Sequence, residues 1–95
     1  MIRIIATSVI SPEKVDEAIA IYTELVQLTR EEQGCAQYTL VQSIEEPNHL
    51  TILEAWESKE ALEAHSASEH MARIALQLGP LCMAPPSMIV TKELV

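Results

Sequence analysis

Apolar and polar residues alternate along two stretches of the chain, and a period of two is typical of β-strands. The first stretch covers residues 2–10 and is rich in β-branched side chains. The second begins at about His49 and ends at Trp56, the only tryptophan of the chain. Since side chains two positions apart share a face of a strand, Ile52, Glu54 and Trp56 are predicted to point to the same side.

A helical spacing follows the first strand. Between residues 12 and 33 apolar side chains recur every three or four positions, which predicts an amphipathic helix. Ser11 is a suitable N-cap, and Pro12 suits the first helical position, where a missing N–H costs nothing. Gly34 is predicted to end this helix in a left-handed conformation.

Residues 35–44 alternate again and predict another strand. The polar segment at residues 45–48 separates it from the strand that ends at Trp56, so the two are expected to form a hairpin. Near the end of the chain, residues 88–91 read as a closing strand after Pro85 and Pro86.

The period changes from strand to helix directly after Trp56. Ser58 is a good N-cap and predicts a helix over residues 58–66. Ser68 offers a second N-cap, which predicts a further helix or an angled continuation of the first. Gly79 and Pro80 are expected to stop it.

The resulting order, β-α-β-β-α-β, is the α+β ferredoxin-like split βαβ arrangement, and it is predicted to form a single domain over residues 1–95. Both helical regions would cover one face of a four-stranded antiparallel sheet and leave the other face open. A bare apolar sheet face favours association, so we expect a homodimer in which two sheets face each other as a dimeric α+β barrel. The residues expected on the open face are Ile5, Val9, Ile52 and Trp56.

Charge and cysteine spacing narrow the classes of function. The net charge is −8 with only six Lys and Arg, which argues against binding to nucleic acid or to an anionic membrane surface. Cys35 and Cys82 lie far apart without a CxxC motif, so neither a disulfide framework nor a cysteine zinc site is predicted. No signal peptide or membrane-length apolar run is apparent, and the expectation is a soluble cytoplasmic protein.

Several short segments along the chain, taken together, form a pattern shared with one known family. They are Glu32-Gln33-Gly34-Cys35, Tyr38, Glu54-Ala55-Trp56-Glu57-Ser58, Leu62-Glu63-Ala64-His65 and His70-Met71. With these segments, the sequence resembles the antibiotic biosynthesis monooxygenase (ABM) domain family of dimeric α+β barrels. Its pattern is most similar to small bacterial quinol monooxygenases and to enzymes that process phosphorylated autoinducer-2. The resemblance implies oxygenation of a quinol or phenol-like small molecule without a cofactor.

Two other branches of this family fit less well. Haem-degrading members carry an Asn on the first strand where this chain has Thr7, and polyketide-quinone-forming members carry an Asn on the third strand where it has Ile52. A Tyr of the latter branch is replaced by Leu62. The resemblance nevertheless implies that Thr7 and Ile52 contribute to substrate binding.

The candidate catalytic residues are a carboxylate and two imidazoles. His65 is suited to taking a phenolic proton near neutral pH, and Glu54 could orient it or act as a base itself. His70 is a second candidate, while Trp56 and Tyr38 are candidates for substrate binding, the indole as a flat wall on which an aromatic ring stacks. The same proton transfer would serve an isomerase that acts on a phosphorylated sugar. Arg3 and Arg73 are among the few cations of the chain that could meet its phosphate.

Structural interpretations of the same residues stay open. Trp56 could be an ordinary core residue, His65 could bond a backbone carbonyl at a helix end, and Tyr38 could serve packing alone. Glu54, as a buried carboxylate, would need a partner such as Tyr38, a histidine or a group of a second chain. A dimeric binding module without turnover is therefore an alternative to an enzyme.

A metal site is not predicted. His65 and His70 are five positions apart, about 140° around an ideal helix, so they would not share a face. Only a break at residues 66–68 could bring the two imidazoles together with Glu54.

Overall fold

Four antiparallel strands form one sheet, and three helices lie against one of its faces in the computed structural model, which describes residues 1–95. The α+β ferredoxin-like arrangement expected from the sequence is confirmed. The strand order is β2-β3-β1-β4. The elements are strands β1 (Ile2–Val9), β2 (Cys35–Gln42), β3 (His49–Trp56) and β4 (Ser87–Lys92), helices α1 (Val15–Thr29), α2 (Lys59–Ser66) and α3 (Glu69–Leu78), and short 3-10 turns at Pro12–Lys14 and Gly79–Leu81.

The register of β1 and β3 decides which side chains meet the helices. Ile4 lies opposite Glu54, and Ile5 lies opposite Leu53. The first pair faces the helices and is buried, whereas Ile5 is 41% exposed on the open face. Ile52 and Trp56 share the face of Glu54 and are buried at 3% and 0% exposure, so placing them on the open face was wrong. Both faces of these strands carry apolar residues, and alternation alone does not say which face the helices cover.

Helix α1 ends earlier than its apolar stripe suggests. Its last regular residue is Thr29, and the predicted helical residues 30–33 form a tight turn instead. The backbone N–H of Glu32 bonds the carbonyl of Thr29 at 3.0 Å, the spacing of a 3-10 turn. Gly34 adopts φ +83°, the left-handed conformation expected of it. The consequence is that Glu32 projects from a turn rather than from the helix.

Two serines fix the break between α2 and α3. The Ser58 hydroxyl accepts the N–H of Ala61 at 3.1 Å and starts α2. The Ser68 hydroxyl accepts the N–H of Met71 at 3.3 Å and donates to the carbonyl of His65 at 2.7 Å. One side chain therefore both caps α3 and closes the end of α2, which sets the angle at which the two helices meet.

The core lies between the helices and the inner face of the sheet. The largest fully buried side chains are Trp56, Ile10, Leu25, Leu50 and Ile74.

Strand β2 ends at Gln42, two residues before the predicted end, and Ile44 is 97% exposed in the turn that follows.

No helix is both long enough and apolar enough to cross a membrane.

Candidate active site

A cavity of about 820 Å³ lies between the inner face of the sheet and the helices. Most of the residues that line it are apolar. Glu54 and His65 contribute polar groups to its wall, one from β3 and one from α2. The volume lies in the range of pockets that enclose a small organic molecule.

Glu54 is a buried carboxylate held by one strong partner. Its Oε1 accepts a hydrogen bond from the indole Nε1 of Trp56 at 2.9 Å. Burial raises the pKa of Glu54 above its usual value, and the Trp56 bond and the nearby His65 offset part of that rise. A carboxyl group in this setting exchanges a proton closer to neutral pH than an ordinary glutamate does.

The His65 ring is fixed on three sides. Its Nδ1 lies 2.9 Å from Oε2 of Glu32, and the ring tilts at 33° against the Trp56 indole with centroids 4.7 Å apart. The Tyr38 ring approaches it edge-on at 5.4 Å. With Glu32 as a carboxylate, Nδ1 carries the hydrogen and Nε2 of the neutral imidazole keeps a lone pair.

That lone pair is available to a bound molecule. No hydrogen-bond partner for Nε2 occurs within the chain. Nε2 is not fully enclosed either, because the only side-chain oxygen or nitrogen that is both fully enclosed and unpartnered belongs to Thr29. Because His65 lines the cavity, Nε2 is the nitrogen that a molecule in the cavity would meet. The arrangement is that of a proton acceptor oriented by a carboxylate behind it.

Glu32 also contacts a second imidazole. Nε2 of His70 lies 2.8 Å from the same Oε2 that meets His65. The three side chains form a chain that begins at the buried His65, 5% exposed, and ends at the more accessible His70, 22% exposed. The break before α3 makes this possible, although the carboxylate between the imidazoles is Glu32 and not Glu54.

The comparison with known proteins decides the family. A sequence profile described as "Antibiotic biosynthesis monooxygenase" matches residues 1–75. The chain belongs to the antibiotic biosynthesis monooxygenase family. It is 32% identical over 83 residues to "Putative monooxygenase YcnE" of Bacillus subtilis, a match that covers 87% of each protein.

Two solved structures share the fold of this chain closely. A structure described as antibiotic biosynthesis monooxygenase superposes with a TM-score of 0.94 at 29% identity and covers 100% of both chains. The structure of Rv0793 from Mycobacterium tuberculosis superposes with a TM-score of 0.93 at 28% identity, covering 99% of this chain and 95% of that one. These names support a general monooxygenase-like function for the ABM chain.

The residues predicted for substrate binding fall into two groups in this ABM domain. Ile52 and Tyr38 line the cavity. Trp56 does not, because its ring is fully buried behind His65 and its N–H is taken by Glu54, so the expected stacking wall for substrate is not available. Thr7 lies on the opposite face of the sheet, where its hydroxyl bonds that of Thr51 at 2.9 Å.

Three polar residues of the site escaped the sequence patterns. Glu32 belongs to one of the family segments, but its position in the sequence does not mark it as a partner of the histidines. Ser8 and Tyr22 line the cavity and share a hydrogen bond of 2.7 Å between their hydroxyls, and burial raises the pKa of Tyr22. A polar Ser8 on the inner face of an apolar strand is the signal that could have indicated this second polar spot.

No Lys or Arg lines the cavity. The two arginines considered for phosphate binding are engaged elsewhere: Arg3 pairs with Glu93 at 2.6 Å and Arg73 with Glu24 at 2.7 Å. The cavity therefore offers no cation to a phosphate group.

Proposed function

We propose that this ABM chain is a cofactor-independent monooxygenase that oxidises a quinol or phenol-like small molecule in its cavity. His65 is the base that takes the phenolic proton, and Glu32 positions it. The observation that carries the proposal is the free Nε2 of a buried histidine whose Nδ1 is held 2.9 Å from a carboxylate.

The size and lining of the cavity support an aromatic substrate. About 820 Å³ accommodates a molecule of one to a few fused rings, and the apolar walls would desolvate it. Desolvation strengthens the interaction between a newly formed phenolate and the His65 imidazolium next to it. Glu54 lies on the same wall and serves as a second proton acceptor or hydrogen-bond acceptor for another hydroxyl of the substrate.

The reaction balances without an external reductant. Loss of a proton to His65 leaves an electron-rich anion, which transfers an electron to O₂ and then recombines with the reduced oxygen at a ring carbon. A quinol and O₂ give a hydroxyquinone and water, so the substrate supplies both electrons that reduce the second oxygen atom. The chain's own residues bind, exclude water and move protons.

The open sheet face supports a homodimer as part of the proposal. Ile5 and Val41 are 41% and 38% exposed there, and Ile89 of the edge strand β4 is 57% exposed. Burial of such apolar side chains stabilises an association between two copies by about 25 cal/mol for each Å² removed from water. The two sheets would then face each other with a cavity on the far side of each.

A phosphorylated sugar is a weaker candidate substrate because the cavity holds no cation for a phosphate. A binding module without turnover would use the same walls but would not need an oriented base. The two functions differ in whether product forms.

Oxygen uptake with a panel of hydroquinones and anthrone-type phenols tests the proposal. Uptake above the no-protein background that falls about 10²-fold or more in His65→Ala is expected, since a general base contributes about 10²–10⁴-fold. His49→Ala is the matched control because His49, the first residue of β3, lies 3.6 Å from Glu46 and does not line the cavity. No uptake by the wild type, or equal uptake by His65→Ala, would overturn the proposal.

A further inference from the structure

The cluster formed by Glu32, His65 and His70 contains two imidazoles and one carboxylate from three separate segments of the chain. Their ligand atoms, Oε2, Nδ1 and Nε2, all lie within 4.8 Å of one another. Two neutral imidazoles and a carboxylate are a ligand set that suits zinc, cobalt, nickel and copper ions better than calcium or magnesium. We infer that these three side chains form a divalent transition-metal site on the outer side of the cavity wall.

The distances are close to those of a coordinated ion. Oε2 of Glu32 lies 2.9 Å from the His65 nitrogen and 2.8 Å from the His70 nitrogen. Bonds of about 2.1 Å to one ion separate neighbouring ligands by roughly 3.0 Å in an octahedron and 3.4 Å in a tetrahedron. An ion therefore needs a few tenths of an ångström of opening on the two carboxylate contacts and a closer approach of the two rings.

The more exposed members of the cluster are the ones that must move. The His65 side chain is 5% exposed and fixed between aromatic rings, but Glu32 is 18% exposed on a turn and His70 is 22% exposed at the start of α3. Partial exposure also gives an ion a route from solvent and leaves coordination positions for water. The net charge of −8 favours the approach of cations to the surface.

Metal binding would change the nitrogen that His65 presents to the cavity. An ion needs the lone pair of Nδ1, so the ring hydrogen must move to Nε2. Nε2 would then donate a hydrogen bond into the cavity instead of accepting a proton. This consequence for catalysis rests on the proposed function, but the metal site itself does not.

Titration of the chelator-treated protein with Co²⁺ tests the site in the absence of any substrate. The expected result is one ion for each chain and visible absorption typical of a nitrogen-ligated Co²⁺. With diamagnetic Zn²⁺ in place of Co²⁺, the NMR shifts of the His65 ring nitrogens should report hydrogen transfer to Nε2. Glu32→Gln and His70→Ala should each weaken binding by about tenfold or more, since even an indirect partner of a metal ligand contributes 10–100-fold.

His49→Ala is the control, because that histidine lies outside the cluster and should leave the affinity unchanged. Circular dichroism of each variant shows whether it is folded. Glu32 and His70 lie in different elements, so if one of Glu32→Gln and His70→Ala fails to fold, the other still tests the site. Absence of stoichiometric Co²⁺ binding by the wild type would overturn the inference. Binding that survives in both Glu32→Gln and His70→Ala, or that is lost in His49→Ala, would also overturn it. Neither result bears on oxygen uptake by the metal-free protein, which tests the proposed function separately.

Discussion

The carboxylate of Glu32 lies 2.9 Å from Nδ1 of His65, although 33 positions separate the two residues in the chain. One projects from the tight turn after α1 and the other from the last turn of α2. This contact occupies Nδ1 of His65, a residue of the cavity wall, and leaves Nε2 without a partner in the chain. It turns a buried histidine into a candidate base.

Glu32→Gln should therefore impair turnover without removing the base. We expect kcat to fall about 10–100-fold, the range found for groups that orient metal-ligating histidines. KM should change little, because Glu32 does not line the cavity. Steady-state kinetics separates the two effects.

Glu31→Gln is the control for this change. It removes the same charge from the neighbouring residue, and Glu31 is exposed. An unchanged kcat in Glu32→Gln, or the same fall of kcat in both variants, would argue against a positioning role.

Glu54 should make the protein less stable as the pH rises. Burial raises the pKa of Glu54 in the folded protein above the ordinary 4.5, so the folded state holds this proton more tightly than the unfolded state does. The free energy of unfolding contributed by the protonated form is present at low pH and is lost as pH rises through the folded pKa. Glu54→Gln removes this loss and should be more stable than the wild type at neutral pH, with an advantage that shrinks toward about pH 4.5.

Denaturant unfolding at a series of pH values measures the difference. Glu57→Gln serves as the matched control variant, since it removes the same charge from an exposed residue. If both variants follow the same pH dependence, the burial of Glu54 is not the cause.

Replacing Gly34 should destabilise the fold more than replacing Gly79, the only other glycine of the chain. Its φ of +83° disfavours any side chain, and an added Cβ would lie 2.5 Å from Cβ of Ala61 on α2. Gly34→Ala should therefore lower the free energy of unfolding by about 1–3 kcal/mol. Gly79→Ala is the comparison, because its added Cβ would meet no atom within 4 Å apart from its chain neighbours and the backbone of its own helix. Its loss of stability should be clearly smaller. Equal losses measured by thermal unfolding would contradict this account.

Much of the fold could be predicted because periodicity and capping residues report local structure. Ser58 and Ser68 cap the helices predicted to start there, and Trp56 ends its strand where the period changes. Gly34 has the predicted left-handed φ, but α1 ends before it, at Thr29. The assignment of Trp56 to the open face failed because both faces of its strand are apolar. Periodicity identifies the residues that share a face but not the face that the helices cover.

The candidate site was harder to predict for a similar reason. His65 and Glu54 could be found because a buried carboxylate next to an imidazole is unusual on an apolar element. Glu32 could not, because the apolar stripe extended α1 through it, and its partners depend on how a turn, α2 and α3 meet in three dimensions. The bond between Trp56 and Glu54 joins residues two apart, but only the structure shows that it holds the indole away from the cavity.

The open face of the sheet predicts a variant that separates the proposed dimer. Ile5 lies at the middle of that face, opposite Leu53 on β3 and Ile89 on β4. Ile5→Lys would place a charge between two facing sheets and should shift a dimer to monomer in analytical ultracentrifugation. Leu76→Lys is the control, because Leu76 is 80% exposed on α3, and it should leave the mass unchanged. A monomeric wild type, or a dimer that survives Ile5→Lys, would contradict the proposed assembly.

Proton abstraction by His65 is the central claim, and an absorption spectrum taken without oxygen tests it most directly. A quinol or anthrone-type phenol bound to the wild type under anaerobic conditions should show the band of its anion at a pH where the free compound is neutral. The same compound bound to His65→Ala should keep the spectrum of the neutral phenol. A neutral spectrum in the wild type, or an anion in both proteins, would contradict the role assigned to His65.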